Sequence, residues 1–233
     1  MTTVEAGSAR AQLLALAHDP AFPGPWPHAR GALADPAAAR AAAVLVLFGV
    51  LDGLPADHEA QAEAVAADLD VLLLARAATL RSHAGQVAFP GGRLDPGEGT
   101  VAAALREAVE ETGLDPAGVE VLGVLPEIPM PGSNHRVTPV LGWWARPTPV
   151  GVVDVAESAA VFRVPVADLL DPARRYTSVL HRGGRTWRGP AFVVEADGAE
   201  RLVWGFTAGI LDSLFEHLGW TEPWDAAREL EIP

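Results

Sequence analysis

The chain has 233 residues and a formal net charge of −13, from 30 acidic and 17 basic side chains. That length favours one domain with room for an appended segment, large enough to fold without disulfide staples. The absence of cysteine excludes disulfide scaffolds, zinc ribbons and cysteine nucleophiles, and the acidity argues against nucleic-acid and anionic-membrane partners.

All the basic side chains other than histidine are arginine. The longest apolar stretch, about Ala41 to Leu51, is shorter than the roughly 20 residues a bilayer crossing needs. No basic segment precedes an apolar run near the start, as a secretory signal would require. The expectation is a soluble, cytoplasmic protein.

Residues 1–40 combine a short helical pattern (Ala9 to Ala17) with a proline-rich stretch, Pro20 to Pro27, and read as an N-terminal arm. Residues 41–233 read as the folded domain. Ala42 to Val50 has the length and continuous apolar character of a buried strand. Gly53 to Ala67 reads as a loop or short helix. Asp70 to Ala77 is a second buried strand, and Gln86 to Phe89 a third, stopped by Pro90-Gly91-Gly92.

A helix follows, with Thr100 as its cap and Gly113 ending it in a left-handed conformation. Val101, Ala104, Leu105, Ala108 and Thr112 form its apolar face. Val119 to Leu125 and Val137 to Ala145 read as strands joined by a Pro/Gly loop, Pro126 to Gly132. Val161 to Val164 is a short strand, followed by a helical turn at Ala167 to Leu170. Tyr176 to His181 and Pro190 to Glu195 form a hairpin around Gly183-Gly184, and Thr207 to Leu218 a final helix. Strands first, one central helix, more strands and then a terminal helix predict an α/β or α+β fold, a mixed β-sheet covered by helices.

The chemistry concentrates between Gly92 and Leu114. Glu107 and Glu111 lie within about 40° of each other on a helix, and Glu110 is adjacent. These carboxylates are expected to point away from the apolar face. Clustered oxygen donors suit hard divalent cations such as Mg²⁺ or Mn²⁺, although three glutamates in five residues also describe an ordinary solvated face.

The flanking residues extend the pattern. Gly92, Glu98, Arg106, Glu107, Glu110, Glu111 and Gly113 follow the spacing G-x5-E-x7-R-E-x2-E-E-x-G, then Leu114. Seven such matches arise by chance on the order of 10⁻⁸ times per starting position. The segment resembles the Nudix box at every charged and glycine position; Ala108 stands where that family usually has a larger aliphatic residue.

The resemblance implies a Nudix fold, with the sheet sandwiched between helices, and metal-dependent hydrolysis of a nucleoside diphosphate linked to another moiety. It implies Glu107, Glu110, Glu111 and Gly91 as the metal-binding set. Gly91-Gly92 would turn tightly to approach phosphate, and Arg106 would pair with Glu98 or a neighbouring carboxylate. For the general base, Glu157, Glu127 and Glu110 compete, and Glu157 is preferred.

The segment before the box bears on the substrate. Leu72-Leu73-Leu74-Ala75-Arg76-Ala77, then Arg81, Gly85 and Phe89-Pro90-Gly91-Gly92, is similar to the signature of coenzyme A pyrophosphatases within the Nudix family. Leu74 departs from it, where threonine is usual. The two motifs cover residues 72–114.

The implied reaction splits coenzyme A, or an acyl derivative, into 4′-phosphopantetheine and 3′,5′-ADP. Alternatives are ADP-ribose, NADH or another nucleotide, and a non-catalytic ligand sensor. Arg76, Arg81, His83, Gly85, Phe89, Pro90, Gly91 and Gly92 are the candidate substrate-binding residues. Arg76, Arg81, His83 and Arg93 also lie in a stretch without an acid, a positive patch on an acidic chain.

A second basic cluster, Arg174, Arg175, His181, Arg182, Arg185 and Arg188, reads as a solvated hairpin or as a contact for the 3′-phosphate. Of Trp143 and Trp144, on opposite faces of one strand, one is expected in the core and the other free to stack on adenine. Trp204, Trp220 and Trp224 read as packing anchors. The oligomeric state is open, with a homodimer among the options.

Overall fold

The computed structural model describes residues 8–25, 33, 35–50, 56–77 and 85–232. An eight-stranded mixed sheet forms its centre. β1 (Arg40–Val50) pairs in parallel with β7 (His135–Trp144) and antiparallel with β2 (Leu69–Arg76). β3 (Val87–Ala88) and β8 (Ser158–Pro165) pair with β2, and β4 (Gly91–Arg93) pairs with β1. β5 (Val119–Val124) and β6 (Ile128–Met130) pair with β7. β6 lies inside the stretch expected to be only a Pro/Gly loop.

The continuous apolar runs of β1 and β2 follow from burial on both faces. On one face, Ala43, Leu45, Leu47 and Leu72 meet Ala103, Ala104 and Ala108 of α2 (Thr100–Thr112). On the other, Val46, Phe48, Val71 and Leu73 meet α1 (Ala9–Ala17), α3 (Val166–Leu170) and α4 (Gly205–Leu218). The expected sheet between helices is present. Leu13 and Leu16 of α1 are buried in this larger core.

Residues 56–67 contain turns but no helix. The expected hairpin is part of a separate four-stranded sheet: β9 (Arg175–Arg182), β10 (Arg185–Ala196), β11 (Ala199–Trp204) and β12 (Glu229–Ile232). β11 and β12 are short and partly exposed, with little apolar signal. Trp220 is buried against Phe215 and donates its indole N–H to Gln12.

Two expectations for α2 need correction. Its N-cap is Gly99, without a side-chain cap hydrogen bond, and Thr100 is the first helical residue. Its buried face also includes Glu111, so the three carboxylates do not all point outward. Gly113 ends the helix at φ +70° as expected.

Asp70, the second residue of β2, is 1% exposed, and among the described residues neither of its carboxylate oxygens accepts a hydrogen bond. Among the described residues its ion-pair partner is Arg163, 3.9 Å away. Burial pushes its pKa up to about 7, against the pull of Arg163. Below about pH 4 the carboxyl is neutral folded and unfolded; as pH rises towards 7, only the unfolded chain releases the proton freely, so stability falls. Asp70→Asn is expected to stabilise the protein at pH 8 by on the order of 2 kcal/mol and to flatten the loss between pH 4 and 7, both measured by urea unfolding.

Candidate active site

The site forms where α2 crosses β4. Gly91 and Gly92 do not make a tight turn: they lie in an extended strand paired with Val44 and Ala43 of β1. Their need for glycine is steric. A β-carbon on Gly91 would lie 2.4 Å from the carbonyl oxygen of Ala43, and one on Gly92 would lie 2.4 Å from the carboxylate of Glu107. The Gly91 amide donates to Glu111 at 2.9 Å. Phe89 and Pro90 are buried, and the Pro90 carbonyl accepts from the amide of Leu45 at 2.8 Å. Both seat β4 against β1.

Arg106 organises the outer side of the cluster. Its guanidinium donates to Glu98 at 2.9 and 3.0 Å, to Glu107 at 2.9 Å, to Glu110 at 3.1 Å and to the carbonyl of Arg93 at 2.9 Å. The expected pairing with Glu98 is present, and the fork ties the loop before α2 to the helix. Hydrogen bonding to Arg106 holds Glu98 below the usual carboxylate range.

Glu111 occupies a different environment. It is 6% exposed, and burial pushes its carboxyl up to about 7; the Gly91 amide and Arg76 pull down, while Glu107 and Glu157 push further up. Burial also raises Glu107, opposed by Arg106 and reinforced by Glu110 and Glu157. Glu110 is exposed. Glu157 is exposed in the β7–β8 loop, and its carbonyl accepts from Ala77 at 2.8 Å. Glu127 lies elsewhere in the fold, 3.9 Å from Arg136.

Arg76 ends β2, bonded through its backbone to Gln86 and Gly85. Its buried Nε has no hydrogen-bond partner among the described residues. Gly85 adopts φ +71°, which favours glycine. Arg81 and His83 lie outside the described residues.

Among the described residues, no three acidic or histidine side chains form a ready-made metal-binding group. Glu107 and Glu110 are turned onto Arg106 and Glu111 onto the Gly91 amide. The donors nevertheless fit a hard divalent cation: all are carboxylate oxygens, and buried Glu111 and half-buried Glu107 both have pKa values raised first by burial and then by neighbouring carboxylates, which positive charge would relieve.

The second basic cluster is largely committed to local pairs. Arg175 is buried against Asp212 and over the rings of Phe192 and Trp224, Arg174 pairs with Asp57 and Asp171, and Arg188 with Glu229. Trp144 is the buried member of its pair and Trp143 is partly buried against the larger core.

The description of a NUDIX domain matches residues 58–182, more than half of the chain. The chain belongs to the Nudix family. It is 43% identical over 150 residues to a Nudix hydrolase NudL of Cronobacter sakazakii, described as uncharacterized, covering 64% of this chain and 75% of the relative. A NudL of the same description from Shigella flexneri is 41% identical over 152 residues, 65% and 76% of the two chains. The solved Nudix hydrolase RenU from M. Smegmatis aligns over 57% of this chain and 74% of its own, at 27% identity and a TM-score of 0.42. As a Nudix hydrolase, the chain acts on phosphate anhydrides.

The raised Glu111 has a measurable consequence. Its stabilising protonation is fully present below about pH 4.5 and is lost as pH rises through about 7. Glu111→Gln keeps an oxygen for the Gly91 amide and removes the buried charge. In chelated, metal-free protein at pH 8 it is expected to raise stability by on the order of 1–3 kcal/mol, read from denaturant unfolding.

Proposed function

We propose that this hydrolase cleaves the diphosphate linkage of coenzyme A and its acyl derivatives, releasing 4′-phosphopantetheine and 3′,5′-ADP. The observation that carries the substrate choice is Arg76. It belongs to the segment before the box whose pattern matches coenzyme A pyrophosphatases. Its guanidinium lowers the pKa of Glu111 while its buried Nε has no partner among the described residues, which supports a role in receiving a phosphate oxygen beside the carboxylates.

In this reading Glu107, Glu110 and Glu111, with the backbone of Gly91, would hold Mg²⁺ or Mn²⁺. When bound, such a cation neutralises the diphosphate and lowers the pKa of a coordinated water. Glu157 takes a proton from the attacking water. The new P–O bond forms in line with the anhydride P–O bond that breaks, and the departing phosphate carries away its electron pair. Arg106 keeps Glu107 and Glu110 on the helix edge, and Gly92 of β4 leaves room for the Glu107 carboxylate. Gly85 follows Arg76 in space through their backbone hydrogen bond, and Arg81 and His83, which lie outside the described residues, are assigned to substrate binding from the sequence pattern alone.

The direct test is turnover of coenzyme A, acetyl-coenzyme A, ADP-ribose and NADH with Mg²⁺. Coenzyme A or its acyl form is expected to be the preferred substrate; rapid ADP-ribose cleavage beside negligible coenzyme A cleavage overturns the assignment. Glu111→Gln is expected to lower kcat by roughly two orders of magnitude or more. Arg81→Ala is expected to impair coenzyme A cleavage more than ADP-ribose cleavage, and equal losses would assign Arg81 to the shared diphosphate or to the fold.

A further inference from the structure

Glu157 stands at the end of the β7–β8 loop, and its backbone is held from both sides. Asp154 collects three hydrogen bonds from the amides that follow it. Its carboxylate accepts from Ala156 at 2.8 Å, and its carbonyl accepts from Glu157 at 3.1 Å and from Ser158 at 2.9 Å. An aspartate that bonds its own chain two residues on closes a turn, and this turn leads directly into Glu157.

Beyond the turn, the sheet takes over. The Glu157 carbonyl accepts from the Ala77 amide at 2.8 Å. A bulge in β8 makes this bond possible. Ala75 faces Ala160 and Arg76 faces Ser158, which leaves Ala159 as an extra residue in the ladder. Without it, Ser158 would face Ala77 and Glu157 would lie one residue, about 3.3 Å, further along. The bulge draws Glu157 back towards Arg76, and the buried Ser158 anchors the junction.

Both backbone polar groups of Glu157 are thus bonded within the protein, while its side chain is exposed. The carboxylate lies near enough to Glu107 and Glu111 to push both of them up. A fixed backbone carrying a free carboxylate beside the cluster is what a group acting on a reacting water needs, because small displacements of such a group are costly.

We infer that Asp154 is a positioning residue for the hydrolysis: its turn, together with the bulge at Ala159, fixes the backbone from which Glu157 reaches the attacking water. The inference rests on Glu157 as the base and deepens that reading; it does not depend on which diphosphate is cleaved. Asp154 acts through the amides of residues 156–158 alone. It is needed for an acceptor oxygen rather than for its charge, so asparagine can replace it and alanine cannot.

The test compares Asp154→Asn with Asp154→Ala in the full chain with Mg²⁺, on whichever of coenzyme A and ADP-ribose the unaltered enzyme cleaves faster. Asp154→Ala is expected to lower kcat about tenfold with KM within about twofold, and Asp154→Asn to keep kcat within about twofold. Asp154→Ser, a weaker acceptor, is expected to fall between them and repeats the comparison with a second variant. Placed on Glu157→Gln, Asp154→Ala is expected to cost little more, since the base it positions is already gone. Hydrogen exchange in metal-free protein reads the turn without turnover: Asp154→Ala is expected to speed exchange of the Glu157 and Ser158 amides about tenfold or more and to leave those of β1 and β7 unchanged. Unaltered kcat in Asp154→Ala, equal losses for asparagine and alanine, a full further loss on Glu157→Gln, or unchanged exchange at Glu157 and Ser158 overturns the inference. Near-normal kcat in Glu157→Gln is a different failure, that of the base assignment itself, and the inference goes with it.

Discussion

Two carboxylates of α2 lie against the backbone of β4 with no room for a β-carbon between them. Glu107 contacts Gly92 so closely that alanine there would collide with its carboxylate, and Glu111 reaches past to the amide of Gly91. This apposition depends on an alanine-faced helix packing on β1 and on β4 pairing with the same strand. It brings residues about 15 to 20 positions apart in sequence into one small volume, and it carries a cost in electrostatics. Glu111 loses most of its hydration and receives one backbone hydrogen bond in return.

The compensation is asymmetric. On the outer side, Arg106 joins Glu98, Glu107 and Glu110 in one fork, so that much of the negative charge there is paired. On the inner side, Glu111 has Arg76 as a favourable neighbour and Glu107 and Glu157 as unfavourable ones. The site therefore combines fixed geometry with unrelieved charge. Sites that bind divalent cations share this character, because the energy that organises the ligands is recovered when positive charge arrives.

The box was legible in the sequence because its roles are local: Arg106, Glu107, Glu110 and Glu111 share one helix, and Glu98 stands one short loop away. Glycine at the helix end was equally readable, since a left-handed residue there has few alternatives. The inward turn of Glu111 was not, because helical periodicity alone cannot place the neighbouring strand that draws its carboxylate from the solvent. For the same reason Gly91-Gly92 read as a turn. Only the paired strand shows that the constraint is contact with Ala43 and Glu107 rather than backbone freedom. β11 and β12 escaped because partly exposed strands of four to six residues carry little apolar alternation. Asp70 and Arg163 fall on different strands with nothing between them in sequence to connect them.

A crystal structure in saturating Mn²⁺, with anomalous scattering to locate the metal, tests the central claim most directly. The account predicts Mn²⁺ held by Glu107 and Glu111, with Glu107 turned from Arg106 towards the ion. Carboxylates that stay on Arg106 and the Gly91 amide, with no ion between them, would contradict it.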